Sequence, residues 1–169
     1  GISIDVNKLN ELSCGFEEKL NNLEKSCYKL IGEEINLGSP KQVGEILFDK
    51  LALPGGKKTS TGSWSTNAEM LENLANEGYD FPKILLEWRA LSKLKTTYTD
   101  TLPTYLNTKT NRIHSSFAMA TTSTGRLASS DPNLQNIPIR SNDGRMIRQA
   151  FIPEKGNVLI SSDYSQIEL

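Results

Sequence analysis

The sequence predicts an α+β fold that is mostly α-helical, because two long apolar stripes are followed by a segment of different character. The stripes run from Leu9 to Leu30 and from Ile84 to Leu102, with steps near three and four. They match in length, so we expect a near-antiparallel pair of long helices with short helices at its far tip. After Pro103, turn residues and short apolar runs predict a smaller part with a few β-strands.

Composition sets broad limits on this chain. Its 169 residues are 37% hydrophobic, which is ample for a core. No run of about 18 apolar residues and no secretory signal is visible, so we expect no membrane partner. Gly1 is not a natural start and Leu169 lies inside an apparent motif, so both ends look cut.

Charge is unevenly distributed along the chain. The net charge of -1 gives no support for a nucleic-acid partner, but a basic face can exist on a neutral protein. Acidic residues are frequent up to Glu34. Between residues 109 and 148 basic residues outnumber Asp131 and Asp143; they are Lys109, Arg112, Arg126, Arg140, Arg145 and Arg148.

The first helix has start and stop signals. Asp5 or Asn7 can cap its beginning, and Gly32 follows its end. Cys14 and Cys27 share this helix about 20 Å apart, too far for a disulfide, so we expect two reduced thiols.

Shorter helices are predicted between the two stripes. Ser39-Pro40 is typical of an N-cap followed by proline at the first helical position. A polar loop at residues 55–65 contains Trp64, which either packs under the tip or stacks on a base; packing is favoured. Thr66 and Glu69 predict a capping box for a helix that Gly78 closes, and Pro82 opens the second long helix.

The second part begins with a turn at residues 107–111. Residues 112–119 then read as a strand that carries His114, which we interpret as structural. Residues 123–142 form an irregular stretch rich in Gly, Ser, Asn and Pro. The apolar run at residues 158–160 predicts a buried strand that leads to Asp163. A carboxylate at a strand end suits a divalent metal, although spacing alone favours an ordinary exposed aspartate.

Three strings resemble signatures of family A DNA polymerases of the bacterial DNA polymerase I type. They are DYSQIEL at residues 163–169, similar to the motif called A, TGRLASSDPNLQNIP at 124–138, and RMIRQAF at 145–151 between them. KLKTTYTD at 93–100 resembles the end of that family's long thumb helix. The resemblance covers nearly the whole chain and is weaker at the first helix and in residues 52–67. It implies a thumb-like helical subdomain at 1–102 and a partial palm at 103–169.

The resemblance implies a two-Mg²⁺ catalytic site in the intact enzyme. Asp163 matches the aspartate that binds both metals, and the backbone carbonyl of Tyr164 adds an oxygen ligand. Glu168 matches the residue that crowds the sugar 2′ position, and Gln166, Glu168 and Arg140 match nucleotide-binding positions. We expect this chain alone not to hold Mg²⁺ stably or to polymerise, because the family's second aspartate and fingers helix come after motif A.

The resemblance also implies contacts with primer–template DNA. Arg126 matches an arginine in the minor groove at the primer terminus, where acceptors occupy similar places in every correct pair. Arg89 and Lys93, four positions apart, match duplex-backbone contacts, which are favoured over the alternative of a solvated helix face. The full expected DNA-binding set is Arg126, Asn133, Gln135, Asn136, Arg140, Arg89, Lys93, Ser39, Lys41, Lys57 and Lys58.

Alternatives remain open at this level. The chain can be a stand-alone duplex-binding module, a fragment of a phage or organellar enzyme of the same family, or a helical scaffold with no nucleic-acid role. For the family reading we expect a monomer in the bacterial cytoplasm, associated with the nucleoid, with dNTPs as substrates of the intact enzyme.

Overall fold

The computed structural model describes residues 1–60 and 62–164, which form helices joined by loops and two small sheets. The mostly helical α+β prediction is confirmed. In chain order the elements are β1 (Ser3–Ile4), α1 (Val6–Ile31), α2 (Pro40–Gly44), a π-helical turn (Glu45–Lys50), α3 (Ala68–Asn76), α4 (Asp80–Leu94), a second π-helical turn (Lys95–Thr99), a 3-10 turn (Leu102–Tyr105), β2 (Ser116–Ala118), β3 (Ala128–Ser130), α5 (Asn142–Arg148) and β4 (Phe151–Ile152).

The chain divides into two compact units. One is Cys14–Lys95, which we call the helical unit. The other, the mixed unit, joins Gly1–Ser13 to the chain from Thr96 onward. The expected assignment of residues 1–102 to a thumb and 103–169 to a palm stays a prediction.

Helix α1 forms where its stripe and caps predict. The Asp5 carboxylate accepts the backbone N–H of Lys8 at 3.0 Å, which satisfies one of the free donors of the first turn. At the other end Gly32 has φ +75°, and its N–H bonds the Tyr28 carbonyl at 2.8 Å. A residue with a Cβ is strained in that conformation, so glycine ends the helix. Leu30, predicted on the buried stripe, is exposed, and Ile31 is buried instead.

Side-chain contacts confirm that α1 and α4 run in opposite directions. Within the helical unit, the Trp88 indole N–H donates to Glu24 at 3.1 Å, and Lys95 forms an ion pair with Glu17 at 3.1 Å. Moving forward along one helix therefore means moving backward along the other. The pair is joined at these points by polar contacts as well as by apolar packing.

The core of the helical unit is built from short helices against α4. Leu47, Leu71 and Leu85 are fully buried, and each comes from a different element. Burying such a leucine contributes about 1.5–3 kcal/mol relative to leaving it in water. The remaining buried members are Cys27, Ile31, Leu37, Val43, Ile46, Phe48, Leu74 and Phe81.

Helix boundaries correct two predictions. Thr66 does not cap α3: Asn67 is the N-cap and accepts the Met70 N–H at 3.0 Å, while Thr66 is buried one position earlier. Both residue types favour caps, so sequence could not choose between neighbours. Helix α4 starts at Asp80 rather than Pro82, and it ends at Leu94 instead of continuing to Leu102. A π-helical and a 3-10 turn carry the chain onward, which explains why the apolar spacing persists.

The strands of the mixed unit are shorter than predicted. β1 pairs antiparallel with β4, and β2 pairs antiparallel with β3, with Phe117 opposite Ser129. The expected strand over 112–119 is wrong in its first half, where Ile113 makes only an isolated bridge to Ile2. The preceding turn is confirmed, since the Asn111 N–H bonds the Asn107 carbonyl at 2.8 Å.

The buried strand predicted at residues 158–160 is wrong. Val158, Leu159 and Ile160 are 77%, 57% and 86% exposed, and they form no strand. A strand needs a neighbour for its backbone hydrogen bonds, and β4 just before this run already pairs with β1. The apolar composition of residues 158–160 predicted a strand, but no strand in the described chain pairs with them.

Candidate nucleic-acid interface

A short hairpin at residues 57–65 carries the two lysines predicted at the tip. We call it the tip hairpin; Thr61 lies outside the described residues. The Ser65 N–H bonds the Lys57 carbonyl at 2.8 Å, and the Thr59 N–H bonds the Ser63 carbonyl at 2.8 Å. Lys57 and Lys58 are both exposed. The backbone pairing holds them on one strand, so their cationic groups are presented from a defined element rather than from a loose loop.

Trp64 anchors this hairpin to the helical unit, which confirms the favoured packing interpretation. Its ring lies 4.9 Å from that of Phe48, and its N–H donates to both Asp49 carboxylate oxygens at 3.0 Å. The Lys58 ammonium sits 4.9 Å from the indole centroid on the facing strand. A cation over an indole is attracted by about 0.5–1 kcal/mol at an exposed site, so Trp64 biases where Lys58 points.

Ser39 and Lys41 lie at the start of α2. Ser39 is the N-cap, and its hydroxyl accepts the Gln42 N–H at 3.5 Å, as the Ser-Pro pattern predicts. Lys41 is exposed on the first turn. Helix α2 has only five residues before the π-helical turn begins, so its dipole is small.

Arg89 and Lys93 differ in environment although they share a face of α4. Lys93 is exposed. Arg89 is half-buried, and its guanidinium donates to the Thr66 carbonyl at 2.6 Å and to the Thr66 hydroxyl at 3.3 Å. Burial lowers the pKa of Arg89 from its ordinary value. Helical spacing could not reveal this difference, because Thr66 comes from another segment.

In the mixed unit, we call residues 122–136 the arginine loop; the stretch predicted to be irregular contains the short strand β3 here. Gly125 has φ +74°, a conformation that L-residues rarely adopt, and it turns the chain just before Arg126. The Thr122 hydroxyl donates to the Arg126 carbonyl at 2.6 Å, so the backbone of Arg126 is fixed. Its side chain lies on the exposed surface.

The amide side chains of Asn133 and Gln135 are engaged within the arginine loop itself. The Gln135 amide donates to the Leu127 carbonyl at 2.9 Å and accepts the Ser129 N–H at 3.2 Å. The side-chain oxygen Oδ1 of Asn133 accepts the backbone N–H of Gln135 at 2.9 Å. Gln135, predicted as a DNA contact, thus braces the strand next to Arg126. The position of Gln135 in the sequence does not predict that role, because its hydrogen bonds form only when the loop folds back on itself.

Tyr98 is a residue that sequence reasoning placed only on an apolar stripe. It is buried, and its hydroxyl donates to the Asn136 carbonyl. Burial raises the pKa of this phenol. A buried tyrosine usually finds a hydrogen-bond partner, and this one ties the end of the arginine loop to the second π-helical turn.

Arg140 is exposed and lies just before α5. Two arginines of that helix hold the preceding backbone: Arg145 donates to the carbonyls of Ile139 and Arg140, both at 3.3 Å, and Arg148 donates to the Ile137 carbonyl at 3.3 Å. Two arginine side chains therefore converge on the short segment that carries Arg140, which concentrates positive charge there.

Asp163 and Tyr164 are both exposed near the end of the described chain. A carboxylate and a main-chain carbonyl are hard oxygen donors of the kind that Mg²⁺ prefers, so the donor types fit. Within residues 1–60 and 62–164 no group of three or more His, Cys, Asp or Glu side chains could hold a metal. Gln166 and Glu168, predicted to contact the nucleotide, lie outside the described residues.

The sequence model of DNA polymerase family A matches residues 6–169. The chain belongs to this family. Curated relatives include DNA polymerase I of Rhizobium leguminosarum, 53% identical over 169 residues, and that of Bacillus subtilis, 45% identical over 170 residues. Both alignments cover 100% of this chain but only 17% and 19% of those proteins. The family A chain thus spans about a fifth of the length of the curated relatives it matches.

A solved structure shares the fold of this family A chain. The POL domain of Pol1 from M. smegmatis, in complex with DNA primer-template and dNTP, matches with a TM-score of 0.84 and 42% identity. The match covers 92% of this chain and 27% of that one. In the part of the family A chain that the structure describes, no helix has the length and apolarity needed to cross a bilayer.

Proposed function

We propose that this chain is the part of a DNA-directed DNA polymerase that holds primer–template duplex and supplies the first metal-binding aspartate. The single observation that carries the proposal is the 0.84 TM-score to a polymerase domain solved with primer-template and dNTP. At 42% identity the likeness extends to sequence as well as fold. The partner is duplex DNA, and dNTPs are substrates of the longer polymerase, acting in the bacterial cytoplasm as a monomer.

Cationic side chains on exposed surfaces account for duplex binding in this proposal. Lys57 and Lys58 on the tip hairpin and Lys93 on α4 neutralise phosphates, and Ser39 and Lys41 add a weaker contact. Phosphate contacts fix the register of the duplex without reading its sequence, as a general polymerase requires. Each neutralised phosphate steepens the salt dependence of binding. The slope of the binding constant against salt concentration therefore gives the number of phosphate contacts.

The arginine loop acts at the primer terminus. Arg126 donates to minor-groove acceptors, which lie at similar places in all correctly paired bases. Thr122 and Gln135 support it by fixing the backbone on either side. Asn133, Asn136 and Arg140 supply further donors to the template strand or the incoming nucleotide. A mismatched terminus displaces the acceptor, so the same arginine tests pair geometry.

Asp163 and the Tyr164 carbonyl would hold Mg²⁺, with Gln166 and Glu168 facing the nucleotide and its sugar. Bound Mg²⁺ lowers the pKa of the attacking hydroxyl and neutralises charge on the leaving pyrophosphate. The task of the chain is positioning: it holds the primer end and the duplex while charge develops. We propose that synthesis needs the longer polymerase and that these 169 residues alone do not extend a primer.

A salt titration of duplex binding tests the proposal. The 169-residue chain should bind a primer–template duplex with an affinity that falls steeply between about 50 and 200 mM salt. No binding at the lower salt would favour a helical scaffold without a nucleic-acid role. Primer extension with Mg²⁺ separates the other candidates: the longer polymerase should extend, whereas extension by this chain alone would contradict the proposed division of labour.

A further inference from the structure

We infer that Arg89 is a positioning residue that fixes the tip hairpin in place for DNA, rather than a direct phosphate contact. The inference deepens the proposed function and rests on it for the DNA-binding part. Sequence pattern groups Arg89 with Lys93, because residues four apart share a helix face. The structure separates them by burial, because Arg89 is half-buried whereas Lys93 is exposed.

Two of the five N–H donors of Arg89 are committed to a single residue of the protein. Its Nη1 lies 2.6 Å from the Thr66 carbonyl and its Nη2 lies 3.3 Å from the Thr66 hydroxyl, a two-pronged contact to one residue. Thr66 is itself buried, at 8% exposure. Losing the arginine would leave a buried carbonyl without a donor, which costs far more than losing a solvated surface charge. The half-buried guanidinium therefore links α4 to the segment just before α3.

Thr66 transmits that restraint to the lysines. It follows Ser65, whose N–H bonds the Lys57 carbonyl at 2.8 Å, and Trp64 is bridged to Lys58 across the hairpin. On the other side Asn67 caps α3 by accepting the Met70 N–H. Arg89 therefore pins the junction between the hairpin and α3. The Trp64–Asp49 bond pins the hairpin a second time, two residues away.

Two contacts near one end of the tip hairpin, Arg89–Thr66 and Trp64–Asp49, restrict its orientation. Lys57 and Lys58 are therefore held in place before DNA binds. Preorganisation of this kind improves affinity, because less side-chain and loop freedom is lost on binding. Without Arg89 the two lysines keep their charge but lose their placement. The expected effect of removing Arg89 is thus indirect and depends on the hairpin lysines being present.

Hydrogen exchange in the DNA-free chain tests the positioning role. Arg89→Met keeps the aliphatic stem and should speed exchange of the amides from Trp64 to Met70 at least tenfold, as expected when a bond to a charged group is lost. Lys83→Met, which removes an exposed charge from the same helix, is the matched control and should leave those amides unchanged. Unchanged exchange in Arg89→Met would overturn the inference, whatever DNA binding shows.

A double-mutant cycle with both hairpin lysines tests whether the role is indirect. Arg89→Met should weaken duplex binding about tenfold in the wild-type chain, and should cause no further loss once Lys57→Met and Lys58→Met are both present, because it acts through those two lysines. A further tenfold loss in the background that lacks both lysines, with the salt slope lowered by about 0.9 in Arg89→Met alone, marks an independent phosphate contact and overturns the inference. No loss in Arg89→Met also overturns it.

Two conservative variants separate shape from charge. Arg89→Lys keeps the positive charge but lacks the two-pronged guanidinium, so duplex binding should fall as it does in Arg89→Met. If Arg89→Lys bound duplex as well as the wild-type chain, charge alone would matter and the positioning role would be contradicted. Thr66→Val changes no charge and should weaken binding about threefold, an effect that disappears in the Arg89→Met background. If wild-type chain binds no duplex, the proposed function fails, while the exchange experiment still decides the role of Arg89.

Discussion

Replacing Gly44 with alanine should destabilise the helical unit, although alanine is the better helix former. Gly44 ends α2 in helical conformation, with φ −64° and ψ −42°. A Cβ there would lie 2.6 Å from the Cβ of Trp64 and 3.5 Å from its carbonyl oxygen. A Cβ is one bond from the backbone, so the clash cannot be relieved by rotating the end of a flexible side chain.

The magnitude follows from two opposing terms. Alanine gains about 1 kcal/mol over glycine in a helix interior. Overpacking of a well-packed site costs about 1–3 kcal/mol, and the upper end applies because the tip hairpin must move as a unit. The net loss is about 1–2 kcal/mol, which lowers the melting temperature by roughly 4 °C in a chain of this size. The displaced element carries Lys57 and Lys58, so duplex affinity should fall as well.

Gly15→Ala provides a matched control with the opposite sign. Gly15 lies exposed inside α1, and an added Cβ meets nothing within 4 Å. The propensity gain is then unopposed, and stability should rise by about 0.5–1 kcal/mol. Thermal unfolding followed by circular dichroism, with urea denaturation as a second measure, compares the two variants. If Gly44→Ala stabilised the chain as much as Gly15→Ala, the close approach of Trp64 would be refuted.

Three further predictions concern the site and the thiols. Asp163→Asn in the longer polymerase should reduce primer extension by several orders of magnitude while duplex binding persists; retained turnover would remove Asp163 from the metal site. Arg126→Ala there should slow extension and weaken discrimination against mismatched termini, measured by single-turnover kinetics on both primers. Iodoacetamide should modify exposed Cys14 much faster than buried Cys27, whose pKa burial raises to about 11; mass spectrometry showing equal rates would contradict that burial.

Much of the fold follows from local sequence signals. Asp5, Gly32 and the Ser39-Pro40 pair each act on backbone groups a few residues away, so their effects are visible without the rest of the chain. The end of α4 was not predictable in the same way. Its apolar spacing continues into a π-helical and then a 3-10 turn, and the change of helix type alters no residue type that a pattern can detect.

In the candidate site, too, local sequence signals do not reveal contacts between distant residues. Family strings identified the segments, but they did not say which polar groups face solvent. Gln135 is occupied by the Leu127 carbonyl and the Ser129 N–H, and Tyr98 by the Asn136 carbonyl. Those partners are eight, six and 38 positions away, so only the folded chain reveals them. The roles of the DNA-contact residues themselves stay predictions until binding is measured.

The arginines of the candidate interface enter two kinds of contact with the backbone. Arg126 and Arg140 are exposed, and their backbone carbonyls accept hydrogen bonds from neighbouring side chains. The side chains of Arg89, Arg145 and Arg148 donate to carbonyls of the protein. A guanidinium fork is suited to bracing irregular backbone, because it can satisfy two acceptors at once. Arg126 and Arg140 thus each depend on a second polar group that fixes the backbone beneath them. For that reason we expect substitutions at Thr122 or Arg145, which need touch no DNA, to weaken binding through Arg126 and Arg140.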